Sequence, residues 1–478
     1  MARAPLPPPL RRRIPRRILA LAAAALLGTA ALAALIVDRN LEPSRAELPF
    51  GVRAELELRD AERATLAGDL DAAERALDEA MQTLDLALQA SPADPAATRA
   101  WLAAADRAVQ LALRRGRPDA TLALLARAAD RANDLLASQP ADARAALDAV
   151  AMTHKLVDAL ERAGTETEAV VARLRTLSAL LGSARLESPR TFAAAARTAL
   201  RLARVARGAE AERALQQAWD AAERAGDDFE ADTVFDAAIG AARRAGQTAV
   251  AFERARRAVD WHAGRVRERP DDLPTNRALE ARQIESAEAA RAAGDPATAR
   301  AWLEAAVKAR RTRLAAARDA AARAEASQDL ARGLSALGTH HTETGALIEA
   351  ETTHGEAVRI AADLDGAGRR VLLVALGNWA QALGRNDRIV DARGAATRSY
   401  ELAQSLSAQP GVGLEARLDV SVAGLRLARL LRAEPTPDRT RAEEVARASL
   451  AALPALDVER ARTTRQGLEA LLAESGRR

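Results

Sequence analysis

The stretch ALGTHHTETGALIEAETTHGEA, residues 336–357, holds three of the chain's five histidines: His340, His341 and His354, with Glu343 and Glu351 among them. Imidazoles and carboxylates are the ligands zinc takes when thiolates are absent, and this chain has no cysteine. The one metal set the stretch offers is His341, His354 and Glu351, since Glu351 precedes His354 by three residues, about one helical turn. His340 is one position away and falls on a different helix face, so it is the wrong third ligand for a compact site. A metal-dependent hydrolase using this cluster is therefore one functional reading. The other is that histidines here fill ordinary packing positions, and that reading is preferred: no metal is expected.

Other catalytic arrangements are missing. PGVGLEA at 410–416 fits G-x-G-x-x-A, but a dinucleotide site needs a strand in front of it, and YELAQSLSAQ reads as helix. No P-loop, H-E-x-x-H, G-x-S-x-G or kinase catalytic-loop signature occurs. His154 and His262 stand alone on helical segments, and the many carboxylates alternate with arginines as solvated i, i+4 pairs do. The sequence predicts no enzyme and no cofactor.

The elements that must position these residues follow from composition. Of 478 residues 49% are hydrophobic but only 2% aromatic, and the apolar content is mostly Ala and Leu. Ala, Leu, Arg and Glu favour helix, whereas strands want β-branched and aromatic side chains. An all-α chain with closely approaching, Ala-lined helices is expected. Six arginines precede residue 18, and the whole chain carries +4, so everything from Ile18 onward sums to −2. That leaves the body without the basic footprint that phosphate backbones require, and no nucleic-acid partner is expected.

Residues 18–37, ILALAAAALLGTAALAALIV, carry no charge, and twenty helical residues span about 30 Å, the thickness of a bilayer core. The sequence predicts a cytoplasmic basic tail (1–17), a transmembrane helix (18–37) and a juxtamembrane linker (38–52). The arginine cluster places the N-terminus in the cytoplasm and the body in the periplasm or outside the cell, with the protein in the inner or plasma membrane. The competing cleaved signal peptide, with Ala31-Leu32-Ala33 at its end, is disfavoured by the length of the apolar run. Ala20, Ala24 and Gly28 line one helix face, but so Ala-rich a segment supplies such a stripe by chance, and it supports no homo-oligomer.

From 53 to 478 one phrase recurs: apolar helix, Gly turn, small-residue helix, break. AERATLAGDLDAAERALDEA and AEAARAAGDPATARAWLEAA are two copies. Glycine suits the turn because the residue after a helix often takes a left-handed conformation. The turn glycines are Gly68, Gly116, Gly164, Gly246, Gly294, Gly345 and Gly384, with Gly208 a weaker one. A helical hairpin with one apolar face cannot bury it alone, so stacked hairpins are expected. The five tryptophans, Trp101, Trp219, Trp261, Trp302 and Trp379, read as gap fillers between hairpins rather than ligand platforms.

The copy at Leu334 reads L-x2-L-G-x2-H…A-x3-H-x2-A through Leu334, Leu337, Gly338, His341, Ala350, His354 and Ala357. It resembles the tetratricopeptide repeat (TPR), whose pattern has aromatic residues in the two histidine slots, and LGNWA at 376–380 is similar to the same repeat's first helix. Turn-glycine spacings of 38 to 51 residues depart from the family's 34 and call for longer helices or wider links. The resemblance implies a TPR-like α-solenoid after the single transmembrane helix, binding a protein or peptide client in a concave groove lined by first helices. It implies groove positions at Asn378, Gln381, Thr339, Thr342, Glu343, Glu288 and Arg291; Asn378 leads, because its amide can both donate to and accept from a peptide backbone. The alternative is a sensory or regulatory part of a bacterial signalling system. The layout of basic Pro/Arg stretch, span and helical repeats looks like that of some bacterial serine/threonine kinases, without the kinase domain.

Overall fold

The computed structural model describes residues 48–475, apart from 227, 367, 410, 412, 434–436 and 456–457. The expected tail 1–17, the expected span 18–37 and residues 38–47 of the expected linker lie outside the described residues. Among the described residues no helix is long and apolar enough to cross a membrane. All the described elements are helices, and the chain divides after Arg207 into two compact units.

In the first unit the helices are α1 (Phe50–Ala67), α2 (Leu70–Ala90), α3 (Pro95–Arg114), α4 (Pro118–Ser138), α5 (Ala143–Arg162), α6 (Thr167–Ser183) and α7 (Pro189–Val205). The second unit holds α8 (Gly208–Ala225), α9 (Asp228–Arg244), α10 (Thr248–Glu268), α11 (Leu273–Ala292), α12 (Pro296–Ala316), α13 (Ala320–Thr344) and α14 (Leu347–Ala361). It continues through α15 (Gly368–Arg385), α16 (Ile389–Ser407), α17 (Leu414–Arg432), α18 (Arg439–Ala452) and α19 (Glu459–Ser475). The helical pattern thus begins at Phe50, three residues before the expected start.

Within each unit most of the helices pair into TPR-like hairpins, and α7 at the end of the first unit and α8 at the start of the second stand outside them. First helices in the first unit begin at 50, 95, 143 and 189, which is 45, 48 and 46 residues apart. In the second unit they begin at 228, 273, 320, 368, 414 and 459, again 45 to 48 apart. The period is therefore close to 46 rather than 34, and most of the excess sits in helices of about twenty residues.

Two kinds of link repeat. Between the helices of a hairpin, Gly68, Gly116, Gly164, Gly246, Gly294 and Gly345 all have φ between 65° and 82°. Each is followed by an amide that reaches back to a carbonyl five residues earlier, as Arg117 does to Ala112 at 3.0 Å and Ala346 to His341 at 2.9 Å. This closes the helix end against its orphan carbonyls. Gly384 is a correction: it lies inside α15, and the left-handed residue of that turn is Asp387, φ 56°, with Arg388 bonding Leu383 at 2.9 Å. Gly208, expected as a weak turn, opens α8 instead, and the turn between α8 and α9 uses Gly226, φ 64°. Between one hairpin and the next, Pro92-x-Asp94, Pro140-x-Asp142 and Pro270-x-Asp272 end one helix and cap the following one. Asp94 accepts from the amides of Ala96 and Ala97, and Asp142 from those of Arg144 and Ala145. Such caps contribute about 1 kcal/mol each.

Alanine lines the helix contacts. In the first unit Ala73, Ala104, Ala105, Ala132, Ala145 and Ala149 are buried beside Leu84, Leu136 and Trp101. In the second, Ala290, Ala299, Ala357, Ala375, Ala380 and Ala392 do the same beside Leu334, Leu376 and Leu383. Small side chains bring helix axes close, and the few large ones fill the remaining gaps.

Candidate functional site

The 46-residue period puts matching positions of successive first helices side by side. In the second unit this builds one face across α11, α13, α15 and α17. On α13 it runs through Arg332, Ala336, Thr339 and Glu343, on α15 through Val374, Asn378 and Gln381, and on α17 through Val422, Arg426 and Arg429. The steps are three or four residues, so each set forms one stripe. All ten side chains are exposed or half-buried; Val374 is 43% exposed, an aliphatic side chain left in water.

The expected groove residues distribute unevenly over this face. Asn378 is half-buried and accepts, through Oδ1, a bond from Arg426 Nη2 at 3.4 Å, while Gln381 is exposed. Thr339 is half-buried, its hydroxyl donating to the Ser335 carbonyl at 2.9 Å. Thr342 is only 4% exposed, with its hydroxyl on the Gly338 carbonyl at 2.8 Å. The charged candidates are engaged between repeats: Glu343 pairs with Arg291, and Glu288 with Arg243.

Those pairings belong to a ladder. Lys155 binds Asp106 at 2.5 Å, Arg201 binds Asp158 and Glu161, and Arg282 binds Asp232 at 2.5 Å and Asp236 at 2.6 Å. Further along, Arg277 meets Glu325 at 2.6 Å, and Arg370 meets Glu415 at 2.7 Å and Asp419 at 2.9 Å. Each joins first helices of neighbouring hairpins. Buried members share acids: Glu280 accepts from both Arg310 and Arg313, and Arg313 also reaches Asp329 at 2.8 Å. Asp419 is held by Arg370 and by Arg460 at 3.0 Å.

The histidine stretch resolves as packing. Gly338 of α13 meets His354 of α14 so closely that a Cβ on Gly338 would lie 2.7 Å from the imidazole. The glycine of the L-G pair is thus the notch into which the next helix's aromatic slot fits. His340 and His341 are also buried, their ring centroids 5.8 Å apart. Burial pushes the His354 pKa down to about 4, with the charges of His341 and Arg426 acting the same way against a contact to the Gly338 backbone. Burial likewise lowers His340 and His341. The metal set corrects itself: Glu351 pairs with Arg388 and accepts from Asn386 at 3.2 Å. Among the described residues no group of three His, Cys, Asp or Glu side chains converges as metal ligands would.

Sequence reasoning missed two clusters. His262 is wholly buried, with Nε2 2.9 Å from Asp232, the carboxylate that also holds Arg282; Phe235 and Trp261 wall it at 6.2 and 4.9 Å between ring centroids. Its partners lie 20 and 30 residues away, on helices whose register only the 46-residue period reveals. The second is Arg426, whose only described bond is to Asn378. Tryptophans fill gaps as expected: Trp101 is 0% exposed beneath Arg127 and Arg131, and Trp219 lies against Phe235 at 4.3 Å.

No protein-family model matches this chain, and no curated protein matches it. BtubC (BKLC) from P. vanneervenii is similar at 12% identity and TM-score 0.34, over 62% of this chain and 94% of that one. A Podosopora anserina putative kinesin light chain with nearly identical TPR-like repeats is similar at 18% identity and TM-score 0.30, over 50% and 94%. A STAND (signal transduction ATPase with numerous domains) protein with a tetratricopeptide repeat sensor, from Pyrococcus horikoshii, is similar at 13% and 0.37, over 84% of this chain and 54% of its own length. With every TM-score below 0.5, the architecture rests on the hairpins described above and not on these likenesses.

Proposed function

We propose that the protein is a membrane-tethered scaffold that binds a protein or peptide segment along the first-helix face of its second unit. The observation that carries this reading is the character of that face. Val374 and Gln381 are exposed beside half-buried Asn378, while Glu343 and Glu288 are already paired between repeats. A strip that offers an aliphatic contact and side-chain amides suits an extended backbone, which offers a donor and an acceptor at each residue. Residues 18–37 supply the tether in this reading, and the arginines before them set the body outside the cytoplasm.

Site-specific photocrosslinking in cells tests it. A photoreactive residue at 378 is expected to capture a defined partner, and one at exposed position 359 on α14 is not. Capture from 359 alone would sink the assignment of the face. The tether is tested separately, by a C-terminal reporter that works only outside the cytoplasm and is expected to be active.

A further inference from the structure

Along the second unit, several arginines that bridge first helices take an acid from the neighbouring repeat, whereas Arg385 of α15 takes the Thr342 carbonyl of α13 at 2.9 Å. Arg282 has Asp232 and Asp236, Arg277 has Glu325, Arg370 has Asp419 and Glu415, and Arg432 has Glu474 at 3.3 Å. Arg426 occupies the same kind of joint, between α17 and α15, but without an acid among the described residues. Its guanidinium lies over Gly377, where any Cβ would collide with it, and Nη2 reaches only the Asn378 amide oxygen at 3.4 Å. The nearest acid on its own helix in this direction, Asp419, is two turns away and held by two arginines. Burial lowers the Arg426 pKa and the charge of Arg460 adds to it, so the position gathers positive charge without an internal counterion. A guanidinium out of bulk water is stabilised chiefly by a bidentate carboxylate, and a neutral amide at 3.4 Å is a weak substitute.

We propose that Arg426 anchors an aspartate or glutamate side chain of the partner polypeptide, which supplies the acid that Arg426 lacks within the fold. The proposal rests on the binding face described above and names the chemistry of its occupant. The incoming carboxylate takes two N–H bonds from Arg426, while Asn378 turns its amide toward the adjacent backbone. Val374 and Val422, on either side, give the neighbouring residues aliphatic contact.

The test is selection of random peptides, displayed as N-terminal fusions so that they carry no free C-terminal carboxylate, on the immobilised full-length protein. Peptides enriched on the wild type are expected to share one acidic position, and changing that residue to its amide should weaken binding at least tenfold. On Arg426→Met, which keeps the aliphatic stem and drops the charge, the acidic preference should vanish while the melting temperature does not fall. Enriched peptides without a shared acid, or an acidic preference that survives in Arg426→Met, would overturn the proposal and leave the binding face standing. No enrichment at all would remove both. A fall in the melting temperature of Arg426→Met with unchanged peptide preference would make Arg426 a structural residue.

Discussion

His354 makes the hairpin α13–α14 acid-labile, and the size of the effect follows from its burial. The imidazole is 1% exposed and lies in the notch over Gly338, with His341 on α13 and Arg426 on α17 adding positive charge around it. Its pKa is about 4 in the fold against 6.5 for an ordinary histidine. A lowered histidine pKa means that the unfolded chain binds the proton first. Stability is therefore complete above pH 6.5 and falls as pH drops from 6.5 toward 4. The shift corresponds to about 2 kcal/mol lost by pH 5 and about 3 kcal/mol by pH 4, as an order of magnitude. Stacked hairpins can open piecemeal, so the assay must be local: hydrogen exchange of amides in 320–361 at pH 7.5, 6, 5 and 4, corrected for intrinsic rates. The reference is His354→Phe, which places in this slot the aromatic that TPR-like hairpins use and removes the titration. The difference in opening free energy between wild type and His354→Phe should shift by about 2 kcal/mol between pH 7.5 and 5. Parallel pH profiles for the two proteins would refute the argument, because carboxylates and the other histidines are common to both.

Three further outcomes are expected. Asp387→Gly should stabilise the second unit by about 0.5–1 kcal/mol, since Asp387 holds φ 56° where every comparable turn has glycine; urea denaturation checks it. Glu280→Ala should cost about 3–5 kcal/mol by the same assay, because Arg310 and Arg313 would lose their shared buried acid. Trp101→Ala should cost about 3–5 kcal/mol in the first unit through the cavity it leaves, and should also release Arg127 and Arg131 from its ring face. Thermal melting of residues 48–475 with and without the substitution reads that last effect.

The helical class and the hairpin plan were legible in the sequence because both are written in local residue choice. Six glycines sit at left-handed turns for a reason that acts within five residues, and Pro-x-Asp marks the links for the same kind of reason. The seventh turn was misplaced at Gly384 because aspartate tolerates the left-handed region and removes the need for glycine, so that Asp387 gave no signal. The histidines were legible as slot residues once Gly338 was seen as the close approach. The expectation at Asn378 comes from its place after the L-G pair in the TPR resemblance. Arg426 was not, since what distinguishes it is a relation between two copies 48 residues apart and an acid that is missing from one of them.

The same relation bears on which charged side chains of the face are open to a partner. In a chain with 70 basic and 66 acidic side chains, the charged residues on first helices look like contacts awaiting a partner. With a repeat near 46 residues, an arginine and an acid spaced 40 to 52 apart meet across the joint, and Glu288, Arg291 and Glu343 are used up this way. Exposed pairs of this type contribute little stability singly, about 0–1 kcal/mol, but they set which hairpin faces register with which. A residue engaged in that registry is a poor ligand contact, because a partner would have to break one pair to form another. Under the proposed binding mode, the contacts open to a partner are those outside the paired rungs. Between α15 and α17, Arg370 takes Glu415 and Asp419 while Arg426 meets only the amide of Asn378, and in the proposed mode that leaves the Arg426 charge for a partner's carboxylate.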